Sequence, residues 1–224
     1  MQERAARITA VLGASLAAAA VALQFGLMLD RFASHGGTPL ATLWRFLSFF
    51  TNLSNLFAAL VLAHAALRPR LRTGLAAPAV EAAATLAVLM AGILNSALLS
   101  GRFHPRGLFL ISDLALHEAV PLVVALFWLL RPHGGFCVRD AALTLAWPLL
   151  YCVYALLRGA ADGWYPYYFL DPVSLGLFGL IASIAGLGLA FLTAALILLA
   201  ADHLLARGLP RRALVGTAVS EGQL

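Results

Sequence analysis

Leu175-Gly-Leu-Phe-Gly-Leu-Ile-Ala-Ser-Ile-Ala-Gly-Leu-Gly-Leu-Ala-Phe-Leu-Thr-Ala-Ala-Leu-Ile-Leu-Leu199 runs for 25 residues without a charged side chain. One crossing of roughly 30 Å of hydrocarbon takes about 20 apolar residues in a helix that rises about 1.5 Å per residue. Five further runs read the same way: about Ile8–Leu29, Leu43–Leu67, Pro78–Leu99, Leu108–Leu130 and Ala141–Leu157. They dominate a chain of 224 residues that is 62% hydrophobic and 11% charged, with a mean hydropathy of +0.91. Soluble domains carry about 45–50% apolar and about 25% charged residues. A water-soluble fold, a disordered chain, a collagen-like repeat and a disulfide scaffold are therefore excluded. The expected architecture is all-α: a single polytopic domain of six transmembrane helices over residues 1–224, with residues 204–224 as a short tail.

Turn chemistry agrees with these limits. Thr38-Pro39 reads as N-cap and first-turn proline of the second helix. Gly101 and Pro105 punctuate the third connection, and Pro132-His-Gly-Gly the fourth. The first run outlasts the roughly 7–15 residues of a signal-peptide core, so it reads as a retained helix. A net charge of +5 raises the question of nucleic acid. All fifteen basic residues are arginines, however, and most lie between or at the ends of apolar runs, where positive charge sets topology. No nucleic-acid partner is expected. An even number of crossings puts both termini on one side, with Arg4, Arg7, Arg68, Arg70, Arg72, Arg131, Arg139, Arg207, Arg211 and Arg212. The other side has Arg31, Arg45, Arg102, Arg106 and Arg158. Ten against five places the termini in the cytoplasm. Trp44, Trp164, Tyr165, Tyr167 and Tyr168 then form an aromatic belt at the far interface. The arginine-only, alanine-rich composition suggests a GC-rich bacterial genome, and so the cytoplasmic (inner) membrane of a bacterium. Cys137 and Cys152 lack metal-ligand spacing and read as structural thiols. Gly176, Gly179, Ser183 and Gly186 form a small-residue stripe suited to close helix packing, within the chain or in a homo-oligomer.

Polar residues converge at one depth. The second run carries Ser48, Thr51 or Asn52, and Asn55 at helical spacing, the third Thr85, Gly92, Asn95 and Ser96. The fourth holds Asp113 and His117 one turn apart with Glu118 beside them, and the fifth Tyr151, Tyr154 and Arg158. Under the arginine-derived topology all fall in the outer half of their helices. A charge at bilayer depth costs at least about 2.5–3.5 kcal/mol, so Asp113, His117, Glu118 and Arg158 are expected to face the bundle interior or a watery cavity. Glu81, Asp202 and His203 lie near inner helix ends, where water is expected to satisfy them.

The residue types suggest nucleophilic chemistry. A threonine hydroxyl attacks well only when a neighbouring base takes its proton, and an imidazole is suited to that task. Thr51 and His117 fill these roles in the expected scheme, with Asp113 orienting the ring. Asn55 or Asn95 would steady an oxyanion. Arg158, with Tyr154, Asn52 and Glu118, would line the substrate's polar end. This is an ester hydrolase that needs no metal or organic cofactor.

Phe49-Phe-Thr-Asn-Leu-Ser-Asn-Leu56, Asp113-Leu-Ala-Leu-His-Glu-Ala-Val-Pro121 and Tyr154-Ala-Leu-Leu-Arg-Gly159 leading into Gly163-Trp-Tyr-Pro166 resemble segments of a family of six-pass bacterial membrane proteins. That family is distantly similar to the animal androgen-induced and androgen-dependent membrane hydrolases, threonine enzymes that cleave fatty acid esters of hydroxy fatty acids. The resemblance covers all six helices in order. It implies Thr51 as nucleophile, His117 as base, and a lipid or fatty-acyl ester as substrate. Two other classes fit the same residues. One is a small transporter or proton-coupled carrier using Asp113, His117, Glu118 and Arg158, against which the unbroken look of the helices counts. The other is a metal enzyme, for which Glu118 is turned about 100° away from His117.

Overall fold

The computed structural model describes residues 1–102 and 104–208. The protein is all-α and polytopic, with six helical spans long and apolar enough to cross a membrane. The first is α1 (Gln2–Ala33), longer at both ends than its apolar run. The second is two helices, α2 (Pro39–Phe46) and α3 (Phe50–Leu67). The third is α4 (Pro78–Leu94), extended by a π-turn over Asn95–Leu99. The fourth joins α5 (Leu108–Leu114) to α6 (Val120–Leu129) through a π-turn over Ala115–Ala119. The fifth is α7 (Val138–Thr144) and α8 (Ala146–Asp162), reaching beyond the expected 141–157 on both sides. The sixth is α9 (Pro172–Gly208), bent at Gly176, where φ is 65°. Helix thus continues into the stretch expected as a tail from 204; the remainder, 209–224, lies outside the described residues.

α4 sits centrally, touching α3, α6, α7, α8 and α9. α1 packs on α3 and α6 through Ala6, Ala10, Gly13, Ala17 and Ala20, which recur every three or four residues. A side chain at Gly13 would press on Leu62 and Val123, so this stripe sets how closely the backbones approach. Of the stripe expected to pack on α9, only Ser183 meets another segment among the described residues, donating to the Phe169 carbonyl. A Cβ at Gly176 or Gly186 would meet nothing within 4 Å, and α9 is mostly exposed along its length.

The second span departs most from expectation. No glycine or proline marks the break between Phe46 and Phe50. α2 starts as its sequence dictates, with the Thr38 hydroxyl accepting from the Ala41 amide and Pro39 in the first turn. It then ends at Leu47, and Phe49 is extended at φ −86° and ψ 127°. A break inside the bundle strands carbonyls, and in hydrocarbon each one left unsatisfied costs several kcal/mol. Side chains supply the donors. Asn52 Nδ2 donates to the Phe46 carbonyl at 2.8 Å, the Tyr154 hydroxyl to Leu47 at 3.1 Å, and the Tyr151 hydroxyl to Ser48 at 2.8 Å. Arg158 donates to the Ser48 hydroxyl and lies over the Trp44 ring at 3.9 Å. Trp44 in turn donates to Asp162 at 2.9 Å.

Glu81 and Asp202 are buried and held by protein groups, correcting the expectation that water satisfies them. Glu81 is 2% exposed and contacts Arg131 at 2.8 Å and Arg72 at 3.3 Å. Asp202 meets His133 at 2.9 Å and accepts from the Gly134 and Phe136 amides, tying the fourth connection to α9.

Tyr151→Phe removes a single hydroxyl and leaves the Ser48 carbonyl without its side-chain donor. It is expected to cost about 1–3 kcal/mol, read as a lower thermal midpoint in detergent. Tyr168→Phe, at an exposed ring outside this network, should leave the midpoint unchanged.

Candidate active site

Restarting the helix at Phe50 puts Thr51 in the first turn of α3, inside the bundle and only 8% exposed. Its hydroxyl lies 3.1 Å from His117 Nε2. His117 Nδ1 lies 3.0 Å from Asp113 Oδ1 and 3.1 Å from the Asp113 carbonyl. Two acceptors at Nδ1 assign the proton to that nitrogen. In the neutral ring Nε2 then carries the lone pair and accepts from the Thr51 hydroxyl. Thr51, His117 and Asp113, singled out from the sequence, form one hydrogen-bonded chain.

Local backbone chemistry holds His117 in place. Pro121 has no N–H to offer the carbonyls of Leu116 and His117, its neighbours five and four residues back. The π-turn over Ala115–Ala119 accommodates this. Asn55 Nδ2 donates to Leu116 O at 3.3 Å and to Thr51 O at 2.9 Å, joining the two partner segments. The His117 carbonyl rests against Gly92 of α4, where a methyl group would collide with it.

Two cavities meet at Thr51. One, the more polar of the two at about 300 Å3, has Gln24, Asn95, Arg102, Asp113 and His117 in a wall that is otherwise largely apolar, with Phe49, Leu99, Phe109 and Leu116. The other, about 80 Å3, is lined by apolar groups of α4, α7, α8 and α9, including Leu94, Leu145, Leu149, Ile184, Leu187 and Phe191. Among its lining residues Leu149 is exposed and Ile184 half-buried, so this second cavity reaches toward the outer surface of α8 and α9. Thr51, Asn95, Leu99 and Tyr167 border both.

Several site expectations need correction. Asn55 is fully buried and its amide nitrogen is committed to two carbonyls, so it clamps the backbone and has no donor left for an oxyanion. Arg158 and Tyr154 line neither cavity; they hold the break in the second span. Asn52 does border the larger cavity, with one amide N–H committed to the Phe46 carbonyl. Glu118 is exposed on the outer surface of the fourth span, because it projects away from the face that carries His117. Thr85 bonds its own helix at Glu81, away from the cavities. Asn95 does face both cavities, placed by the π-turn over Asn95–Leu99, and its side chain makes no hydrogen bond among the described residues.

Three lining residues went unread in the sequence. Gln24 accepts from Ser112 at 2.9 Å; a lone amide in the first apolar run was its signal. Arg102 was counted only as an outer-side charge, yet it borders the polar cavity and lies over Tyr168 at 4.1 Å. Tyr167 was grouped with the aromatic belt but is 8% exposed. It borders both cavities beside Thr51. Burial raises its pKa above the ordinary tyrosine range, so it stays protonated and able to donate. The amides of Phe50, Thr51 and Asn52 precede the first carbonyl-bonded amide of α3, that of Leu53. They are the positive end of the helix dipole, aimed at this corner.

Among the described residues no three His, Cys, Asp or Glu side chains cluster to hold a metal ion. The chain matches no family model, no curated protein and no solved structure.

Gly92→Ala should cost about 1–3 kcal/mol by overpacking against the His117 carbonyl, seen as a lower thermal midpoint. Gly186→Ala, in open space, should leave the midpoint unchanged or raise it.

Proposed function

We propose that this protein is a membrane-embedded lipid-ester hydrolase with a threonine nucleophile. The hydrogen-bonded chain from Thr51 through His117 to Asp113, set where an apolar and a polar cavity meet, carries this reading. The Thr51 oxygen attacks the ester carbonyl carbon while its proton passes to His117 Nε2, and Asp113 stabilises the imidazolium. The carbonyl becomes an oxyanion, for which the first amides of α3, the Tyr167 hydroxyl and the Asn95 amide are the available donors. Collapse expels the alcohol, which takes the proton from His117. Water, deprotonated by His117, then releases the acid from the acyl-threonine and restores the hydroxyl.

The acyl chain enters from lipid between α8 and α9, and the polar end of the ester occupies the larger cavity near Gln24 and Arg102. Arg102 thus takes the carboxylate-binding role first expected of Arg158. The resemblance to hydrolases of fatty acid esters of hydroxy fatty acids supports the same substrate class. In this proposal the membrane is the bacterial inner membrane, the termini are cytoplasmic, and the site opens to the far side.

The broken second span favours one other reading. Discontinuous helices whose inner N-termini point at a polar cavity also bind substrates in carriers, and α3 begins in that way. Proton flux into sealed proteoliposomes that is lost in His117→Ala and Asp113→Asn but kept in Thr51→Ala would assign a proton-coupled carrier.

Purified protein is expected to react with a lipophilic fluorophosphonate at Thr51. Thr51→Ala should abolish labelling. His117→Ala should slow it by about 10²–10⁴-fold, the usual contribution of a general base. Arg158→Gln should lower the thermal midpoint while folded protein still labels. Equal labelling of wild type and Thr51→Ala would remove the proposed nucleophile.

A further inference from the structure

The opposite end of the bundle from Thr51 carries a third cavity, independent of the hydrolase reading. It is about 300 Å3 and lies between the start of α1 and the ends of α3 and α6. Arg7, Arg70, Arg72 and Arg131 stand on its walls, over apolar groups that include Phe127 and Leu130. Glu81, behind the wall, is shared: Arg131 reaches it at 2.8 and 3.0 Å, and Arg72 at 3.3 Å. Glu3 is the single carboxylate on the lining itself. Four guanidinium groups therefore face these two carboxylates, while Asp202, the next one toward Arg72, is held by His133 and the Gly134 and Phe136 amides; positive charge is left in excess beside an apolar floor.

The geometry of the arginines leaves donors available. Arg131 and Arg72 are also held by the Pro69 and Pro132 carbonyls, at 3.1 and 3.2 Å. These bonds fix both guanidiniums. Arg7 uses Nε on the Ala66 carbonyl at 3.2 Å and pairs with no carboxylate among the described residues. Arg70 makes neither an ion pair nor a side-chain hydrogen bond among them. We propose that this cavity binds a phosphate group, and specifically that of an anionic phospholipid at the membrane surface. Guanidinium forks match phosphate oxygens in geometry and charge, and basic pockets between transmembrane helices take lipid headgroups in this way. Membrane-facing surface beside the cavity favours a lipid over a free ion. Val11, one turn from Arg7 on the same face of α1, is 48% exposed, and Leu126 and Leu129 of α6 are each 49% exposed. An acyl chain leaving the phosphate finds apolar surface on both helices.

The test is the thermal midpoint of the delipidated full chain in detergent, titrated with phosphatidylglycerol, phosphatidylcholine or inorganic phosphate. Phosphatidylglycerol should raise the midpoint and phosphatidylcholine should not. In Arg7→Gln/Arg70→Gln the apparent affinity should fall at least about tenfold, equivalent to losing one charge-assisted hydrogen bond. Arg31→Gln/Arg106→Gln removes the same charge at the opposite end of the bundle and should respond like wild type. Should the double variant not fold, Arg70→Gln alone carries the comparison, because that side chain has no partner to lose. A response to inorganic phosphate that matches phosphatidylglycerol would uphold the anion site and assign it to a soluble phosphate. An undiminished response in the Arg7/Arg70 variant, or an equal one to phosphatidylcholine, overturns the proposal.

Discussion

Hydrocarbon offers no partner for a bare peptide group, and the second span violates helical pairing in the middle of the bundle. The fold depends on how that violation is resolved. The carbonyls of Phe46, Leu47 and Ser48 take donors from Asn52, Tyr154 and Tyr151. Arg158 locks the Ser48 side chain from the α8 side. With those bonds made, the chain restarts as α3, and its first-turn amides lie inside the protein beside Thr51. A continuous helix would bury the same amides in its own ladder. The residues that suggested a substrate clamp are thus what gives the candidate site its helix N-terminus.

A second departure from regular helix positions the histidine. Pro121 removes an N–H, the π-turn absorbs the resulting mismatch, and the Leu116 carbonyl goes to Asn55. Asn55 also holds the Thr51 carbonyl, so one buried amide ties the segment of the hydroxyl to the segment of the imidazole. Gly92 allows α4 to close on the His117 carbonyl. The 3.1 Å approach of Thr51 to His117 follows from backbone groups seeking partners, with the site side chains carried along. At the other end the sign of the problem is reversed. There, charged groups outnumber their partners, and the buried Glu81 carboxylate organises two arginines while others remain uncompensated.

Much of the site was legible because membranes penalise polar groups so heavily. Thr51, His117 and Asp113 stood out as polar residues at one depth, and Asp113 with His117 could be paired from helical spacing alone. Asn55, Tyr154 and Arg158 were equally conspicuous, but conspicuous polarity does not distinguish a group that serves a ligand from one that serves the backbone. That distinction requires knowing where carbonyls are stranded. Leu47-Ser48-Phe49 contains no residue whose conformational preference breaks a helix. Tyr167 was hidden for the opposite reason: four neighbouring aromatics at an interface fit a belt, and only the fold of the loop turns this one inward.

The sequence by itself determined the class and the number of spans, because apolar length is a local quantity that bilayer thickness converts directly into crossings; the helix ends, several of which run three to nine residues past the apolar stretches, it did not. It also determined that ionisable groups would meet somewhere inside. Tertiary structure decided which of them meet. It placed the break at Ser48, sent Glu118 outward, committed Asn55 and Arg158 to the scaffold, and opened two cavities on either side of Thr51. These outcomes depend on hydrogen bonds between groups far apart in the chain, such as Arg158 with Ser48, 110 residues away. The partners of a stranded carbonyl are chosen by neighbouring helices, and no local pattern in the chain records that choice.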